Sequence, residues 1–545
     1  MLALNGFRVD SACICVFNRA VSYVEVMNVV RPKESKLGRR PFFVKLLLAV
    51  VGAATVCAAI FALYAGVITP FAPPNTVVET ASGRIIKVPS GGDLQGAINT
   101  ARSGDVIELE AGGSYAGRID LTERPLTDFV TIRSSRSAEL PEGKRISPEQ
   151  KPLLATIKSG MLGRAAVDAA NGAHHYRFVG IEFVPSSSIY NYGLVVLGGS
   201  ETRPDRVPHD IELDRCYIHS LPTGKTRRGI ALNSARTVIK NSYIEGFAGK
   251  SEEAQGICGW TGTRDVKILN NYIEGGAENI MFGGSDPANA ELIPSGIEVS
   301  GNVLFKSEIW KQNKFTVKTL FELKNAKSVR FTNNYLANNW EGSAFRITVR
   351  NQDGGAPFST IEDVEISGNI IVGAGEGINI LGSDDTYPSQ MLKRLTIKDN
   401  LFLDLGGEGF EGSGYFIQVA SGDTITIENN TVFNRGNIIT FYGDQPRAFV
   451  FTNNVTGHGL YGIHGPIDVK SPTAKAMIHG NIIFNNMGVG SGDFNIPPGN
   501  EFVENIDRVG FSDRSAQDFR LKPGGKYCPA DGKCAGISFP FFTNR

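Results

Sequence analysis

The octapeptide VRFTNNYL, residues 329–336, decides how this chain folds. Val329 and Phe331 alternate with Arg330 and Thr332, the two-residue period of a strand with one buried face. Asn333 and Asn334 then turn the chain, because asparagine tolerates left-handed backbone and bonds to nearby peptide groups. Tyr335 and Leu336 open a further apolar pair. The pattern recurs as TVIKNSYIEG (237–246), VKILNNYIEG (266–275), IEVSGNVLF (297–305), VEISGNIIV (364–372), LTIKDNLFL (395–403), ITIENNTVF (425–433), FVFTNNV (449–455) and MIHGNIIF (477–484). The repeated asparagines lie 24 to 35 residues apart, in the range of a stacked supersecondary unit. No amphipathic helix falls between these strands, which excludes helical and leucine-rich repeats. The unit reads as one coil of a parallel β-helix.

Composition agrees. The 545 residues carry 55 Lys plus Arg against 55 Asp plus Glu, a net charge of zero that gives nucleic acid no basic field. Sixty-three glycines suit a chain with many tight corners. Upstream of the repeats, Leu94, Ala97, Ile98 and Ala101 share one helical face, with Ser90 or Asp93 placed to cap it, and DVIELEAG (105–112) follows as a strand. A short helix of this kind covers the open first coil of a solenoid. Cys528 and Cys534 are spaced to close a small loop, whereas Cys216 and Cys258 sit in apolar strand patterns as core residues.

The helix, the SGDVIELEAGGSY segment and the Asn-turn coils together resemble the right-handed parallel β-helix of the pectin-lyase-like superfamily, over roughly residues 85 to 520. The resemblance implies an all-β solenoid with an N-terminal capping helix. It also implies an internal ladder of asparagines, matched here by Asn241, Asn271, Asn302, Asn334, Asn369, Asn400, Asn430, Asn454 and Asn481. Activity does not follow, since the fold hosts lyases, hydrolases, isomerases, epimerases and adhesins.

The N-terminus reads differently. Leu46 to Thr69 holds no charged residue, long enough to cross the hydrocarbon core of a bilayer at about 1.5 Å per residue. Arg31, Lys33, Lys36, Arg39 and Arg40 precede it, so the positive-inside rule predicts a single-pass membrane protein with a cytoplasmic N-terminus and an outward β-helix domain. The expected divisions are a tail over 1–40, an anchor over 41–69, a linker over 70–84 and the β-helix over 85–545. Residues 1–26 fit no part of this scheme, and Met27 is the expected start.

Chemistry is expected on the first strand of each coil. In LFELKNA (320–326), RITVRNQ (346–352), GINILGS (377–383), FIQVASG (416–422) and ITFYGDQ (439–445), alternation turns Phe321, Leu323, Ile347, Val349, Ile378, Ile380, Ile417 and Val419 inward. One outward column then runs Glu322, Thr348, Asn379, Gln418, Thr440, beside another holding Asn233, Trp260, Lys324, Arg350 and Tyr442. In this register Lys324 lies under Arg350, with Arg346 diagonal to Glu322. Such a stripe suits a polysaccharide, with Glu322, Asn279, Trp260, Asn379, Gln418, Tyr442 and Gln352 as binding residues. For a uronate polymer the chemistry is β-elimination, which needs a base and a cation to neutralise the enolate. Lys324 with Arg346 or Arg350 supplies both types. The stretch from Lys324 to Arg346 is also similar to chondroitinase-B-like and alginate-lyase polysaccharide lyases, where a lysine precedes an Asn-turn strand and an arginine opens the next coil. Those enzymes carry acidic calcium ligands before the lysine, whereas TVKTLFELK offers only one acid. No cofactor is demanded; Ca²⁺ is the one cation that Asp353, Asp384 and Asp385 would suit. A glycoside hydrolase is a weaker reading, since no acid pair falls on one coil. A non-catalytic adhesion or carbohydrate-binding scaffold is the alternative from another class.

Overall fold

The computed structural model describes residues 72–540 apart from 82, 223–224, 472–474, 489–495 and 530–533. The described body is built mainly from two sheets, whose strands are parallel except for the first. One has 15 strands, in which each coil contributes the alternating segment that precedes its Asn turn. The other has 24 and collects two sets of shorter strands. One set follows the Asn turn, as at Tyr243–Glu245, Tyr272–Glu274 and Val303–Phe305. The second set carries the candidate chemistry: β1 (Arg228–Leu232), β2 (Gln255–Gly259), β3 (Glu278–Phe282) and β4 (Thr319–Leu323). It continues through β5 (Tyr335–Thr348), β6 (Ile370–Leu381), β7 (Ile417–Ala420) and β8 (Ile439–Phe441). The long strands β5 and β6 run through both sets and join them into one sheet. The chain is therefore a parallel β-helix, as its repeats predict.

The inward residues form one continuous core. Phe321, Leu323, Ile347, Val349, Ile378, Ile380, Ile417 and Val419 are all fully buried. Phenylalanines from neighbouring strands meet inside: Phe321 with Phe331 at 4.2 Å, Phe331 with Phe345 at 5.6 Å, and Phe402 with Phe416 at 5.2 Å between ring centroids. Each buried ring or branched side chain stabilises the fold by about 1.5–3 kcal/mol relative to exposure. On the outer face of the 15-stranded sheet, opposite charges pair across coils, as Glu212 does with Arg177 (2.9 Å) and Lys240 (2.6 Å). That face is a solvated surface.

The asparagine ladder is present, shifted by one rung. It runs Asn271, Asn302, Asn334, Asn369, Asn400, Asn430, Asn454, Asn481 and Asn500, each side-chain oxygen accepting the backbone N–H of the rung before it. Asn241 stands beside it. It takes the left-handed turn position at φ 54°, and Ser242 occupies the rung. Asn500 extends the far end.

The first coil is covered. Asp93 accepts the Gly96 N–H and caps the helix Leu94–Thr100, which buries Leu94, Ala97 and Ile98. The segment expected as a linker contributes a strand, Thr76–Thr80, antiparallel to Gly83–Val88. The C-terminal hairpin, Phe511–Asp513 and Asp518–Leu521, folds back along the side of the coils, packing Phe511 and Phe519 on Phe433 in a cluster with Ile370, Leu401 and Val455, and Cys528 and Cys534 form a disulfide.

The membrane expectation does not stand. No helix among the described residues is long and apolar enough to cross a membrane. The stretch 41–69 that carried the expected anchor lies outside the described residues, as do the tail and Met27. The single-pass placement and the membrane contact built on it are withdrawn.

Candidate functional site

Strand pairing sets the site. Met281 of β3 stands against Glu322 of β4, Glu322 against Arg346 of β5, Arg346 against Asn379 of β6, Asn379 against Gln418 of β7, and Gln418 against Thr440 of β8. Arg346 therefore lies in the column directly over Glu322, where alternation had placed Thr348, and not diagonal to it. The inward pair on β5 facing Phe321 and Leu323 is Phe345 and Ile347. A slip of two residues keeps every side chain on its own face, so periodicity does not detect it. Beyond the paired segment, the Arg350 N–H donates to the Lys324 carbonyl at 2.8 Å.

A groove of about 430 Å³ opens over these strands. Lys318, Glu322, Lys324, Arg346, Thr348, Arg350, Asn379, Leu381, Asp385, Gln418 and Tyr442 line it. Its polar wall is ordered by side-chain bonds. Asn379 Nδ2 donates to Gln418 Oε1 at 2.9 Å, and the Tyr442 hydroxyl donates to Asn379 Oδ1 at 3.1 Å. Burial pushes that hydroxyl's pKa up to about 12, so it stays a donor.

The acids and bases divide unequally. Arg350 is spent, ion-paired with Asp385 and 3.7 Å from Asp384. Lys318 sits 2.8 Å from Glu253 and 3.2 Å from the fully buried Glu278. Burial works against its charge, but Glu278, Glu322 and Glu253 outweigh burial and hold its pKa above the usual lysine value. Lys324 Nζ is 3.8 Å from Glu322 Oε1. Glu322 is only 1% exposed, and its Oε2 has no hydrogen-bond partner. Burial first, then the Glu278 carboxylate, push its pKa above the ordinary range; Lys324, Lys318 and Arg346 pull the other way and lose. The Arg346 side chain makes no hydrogen bond or ion pair among the described residues, and its Nε is buried without a partner. An unspent guanidinium in a polar groove is a place for an anion.

The other expected residues lie elsewhere. Asn279 is fully buried and spends its amide on the Ile273 and Phe305 carbonyls, both at 2.8 Å, so it belongs to the scaffold. Trp260 is outside the groove; its backbone N–H donates to Asn233, and its ring faces the Arg228 guanidinium at 4.8 Å. Gln352 and Asp353 are exposed on the following loop. The expected acids do not fit a calcium site. Asp384 accepts the backbone N–H groups of Asn351, Thr386 and Tyr387 as a turn former, and Asp385 faces Arg350. Among the described residues no three His, Cys, Asp or Glu side chains converge as metal ligands would. Sequence reasoning missed Lys318 as a lining residue and Glu253 and Glu278 as its partners. They lie 65 and 40 residues before it, and no periodic signal links them.

No family model matches the chain, and no curated protein sequence does. Solved structures do. The PL6 family alginate lyase AlyGC superposes with a TM-score of 0.52 at 14% identity, over 83% of this chain and 56% of that one. An alginate lyase from Paenibacillus sp. strain FPU-7 gives 0.40 at 15% identity, over 70% and 97%. PfbA, a surface adhesin of Streptococcus pneumoniae, gives 0.41 at 10% identity, over 72% and 86%. At 14% identity the likeness to AlyGC is one of fold: this chain has the parallel β-helix architecture that its sequence resembles.

Proposed function

We propose that the groove binds a uronate-containing polysaccharide and cleaves it by β-elimination. The observation that carries this reading is Arg346, a groove cation whose side chain makes no ion pair or hydrogen bond among the described residues, on the coil next to Lys324. A uronate carboxylate seated on Arg346 loses its negative field, and the proton on the adjacent carbon becomes acidic. Lys324 Nζ is the base that takes it, while Arg346 stabilises the enolate that forms. Asn379, Gln418 and Tyr442 offer a hydrogen-bonding wall for sugar hydroxyls. Arg350, held by Asp385, positions the loop after β6 and takes no part in neutralisation.

Incubating the protein with a panel of polyuronates and following absorbance from the new carbon–carbon double bond tests this. Lys324→Ala is expected to lower the rate by at least about 100-fold, the usual scale of general base catalysis. A rate that Lys324→Ala leaves intact refutes the assignment. Polymer retention without new absorbance supports the binding scaffold instead.

A further inference from the structure

We infer that Glu322 is the proton donor to the departing sugar oxygen, an inference that rests on the elimination reading. Elimination needs two proton transfers. Lys324 removes the proton beside the carboxylate, and that C–H electron pair becomes the new double bond. The bond from the next carbon to the glycosidic oxygen breaks, the oxygen leaves with its electron pair, and a proton must reach it. Lys324 cannot supply this proton in the same step, and the guanidinium of Arg346 is engaged with the carboxylate.

Glu322 has the placement for the second transfer. It lines the groove between the two cations, with Lys324 two residues on and Arg346 directly opposite on β5. Its side chain is 99% buried, and Oε2 meets no donor or acceptor of the protein. A buried carboxyl oxygen with no partner costs free energy that a bound hydroxyl or glycosidic oxygen recovers. The charged groups facing it are Glu278 from β3, Lys318 and Lys324 from its own segment, and Arg346 from β5. Burial and Glu278 together favour the neutral acid, the form that donates. Glu278 stays below, tied to Gln255 at 2.8 Å and to Lys318, and it acts on Glu322 as a fixed like charge. After transfer Glu322 is a carboxylate between Lys324, now protonated, and Arg346, and solvent resets both groups.

The test separates the two proton transfers. The full-length protein is assayed on a polyuronate and on a glycoside of 4-deoxy-4-fluorouronic acid, from which fluoride leaves with little need for a proton. Glu322→Gln keeps the shape of the side chain and removes the acid. It is expected to slow the polymer by about 100-fold or more while slowing fluoride release less than about fivefold. Lys324→Ala is expected to abolish both. In the wild type, the polymer rate falls at high pH as Glu322 ionises, a limb missing from fluoride release and from Glu322→Gln. Equal slowing of both substrates by Glu322→Gln makes Glu322 a positioning residue and overturns the inference, as does no slowing of either. If Lys324→Ala leaves both rates unchanged, the elimination reading falls instead. A wild type that turns over neither substrate removes the two together.

Discussion

Glu182 and Glu274 show how single neighbours set an acid's behaviour in this fold. Both are nearly buried, and burial pushes both upward. For Glu274, the bonds from Tyr272 and the Gly246 N–H and the charge of Lys306 do not offset burial and the like charge of Glu245, and its pKa ends at about 7. Glu182 accepts from His219 (2.8 Å), from Lys151 (2.8 Å) and from Thr156 (2.5 Å), and these bonds outweigh burial and hold its pKa at about 2. A carboxyl depressed on folding stabilises the folded state above its unfolded pKa of about 4.5 and loses that contribution as pH falls towards 2. The contribution is on the order of 3 kcal/mol. Denaturation midpoints measured from about pH 6 down to about pH 2, across that transition, are expected to drop less steeply in Glu182→Gln than in the wild type. Parallel curves for the two proteins would show that Glu182 carries no such linkage. None of this was legible in the sequence, because Thr156, Lys151 and His219 come from 26 to 37 residues away.

The ladder is the element in which repetition becomes stability. Asn369 is fully buried; its Oδ1 accepts the Asn334 N–H, and its Nδ2 donates to Asn400 and to the Phe331 carbonyl. Removing it strands groups on two coils, so Asn369→Ala is expected to cost about 3 kcal/mol. Asn500, half-buried at the end, has a neighbour on one side only, and Asn500→Ala is expected to cost less than half as much. Chemical denaturation of the two variants decides it, and equal losses would mean that the rungs act independently. The ladder was readable from spacing, and its first member could have been read too. Aligning NSYIEG (241–246) on NNYIEG (270–275) places Ser242, not Asn241, against Asn271.

Stacking coils buries one another's faces but leaves the first one exposed, and this chain closes it. The strand Thr76–Thr80 lies along the edge formed by Gly83–Val88, and the helix Leu94–Thr100 shields the core beneath. Deleting residues 72–101 bares the edge of Val106–Leu109, whose partner in the sheet is Gly83–Val88. An uncovered parallel edge recruits other chains. The shortened protein is expected to elute mainly as aggregate in size-exclusion chromatography; a monomer of unchanged melting temperature would show that the cap is dispensable. The cap helix was legible from its apolar face and its capping residue. The edge strand was not, because TVVET sits among prolines and has no buried face to mark it.

The coil, the ladder and the inward residues could all be read from the chain alone, because each repeats a short pattern whose cause is local: alternation for strands, asparagine for the turn. The stripe of polar residues on β4 to β8 was legible for the same reason. Its pairing was not. Whether Arg346 or Thr348 stands over Glu322 differs by two residues, a shift that alternation does not register, and only strand pairing resolves it. The commitment of charges also waited on the folded chain. Arg350 is neutralised by Asp385, Lys318 by Glu253 and Glu278, and Arg346 is left over. Charge depends on distance through space, and a solenoid brings residues decades apart in sequence to within one coil of each other.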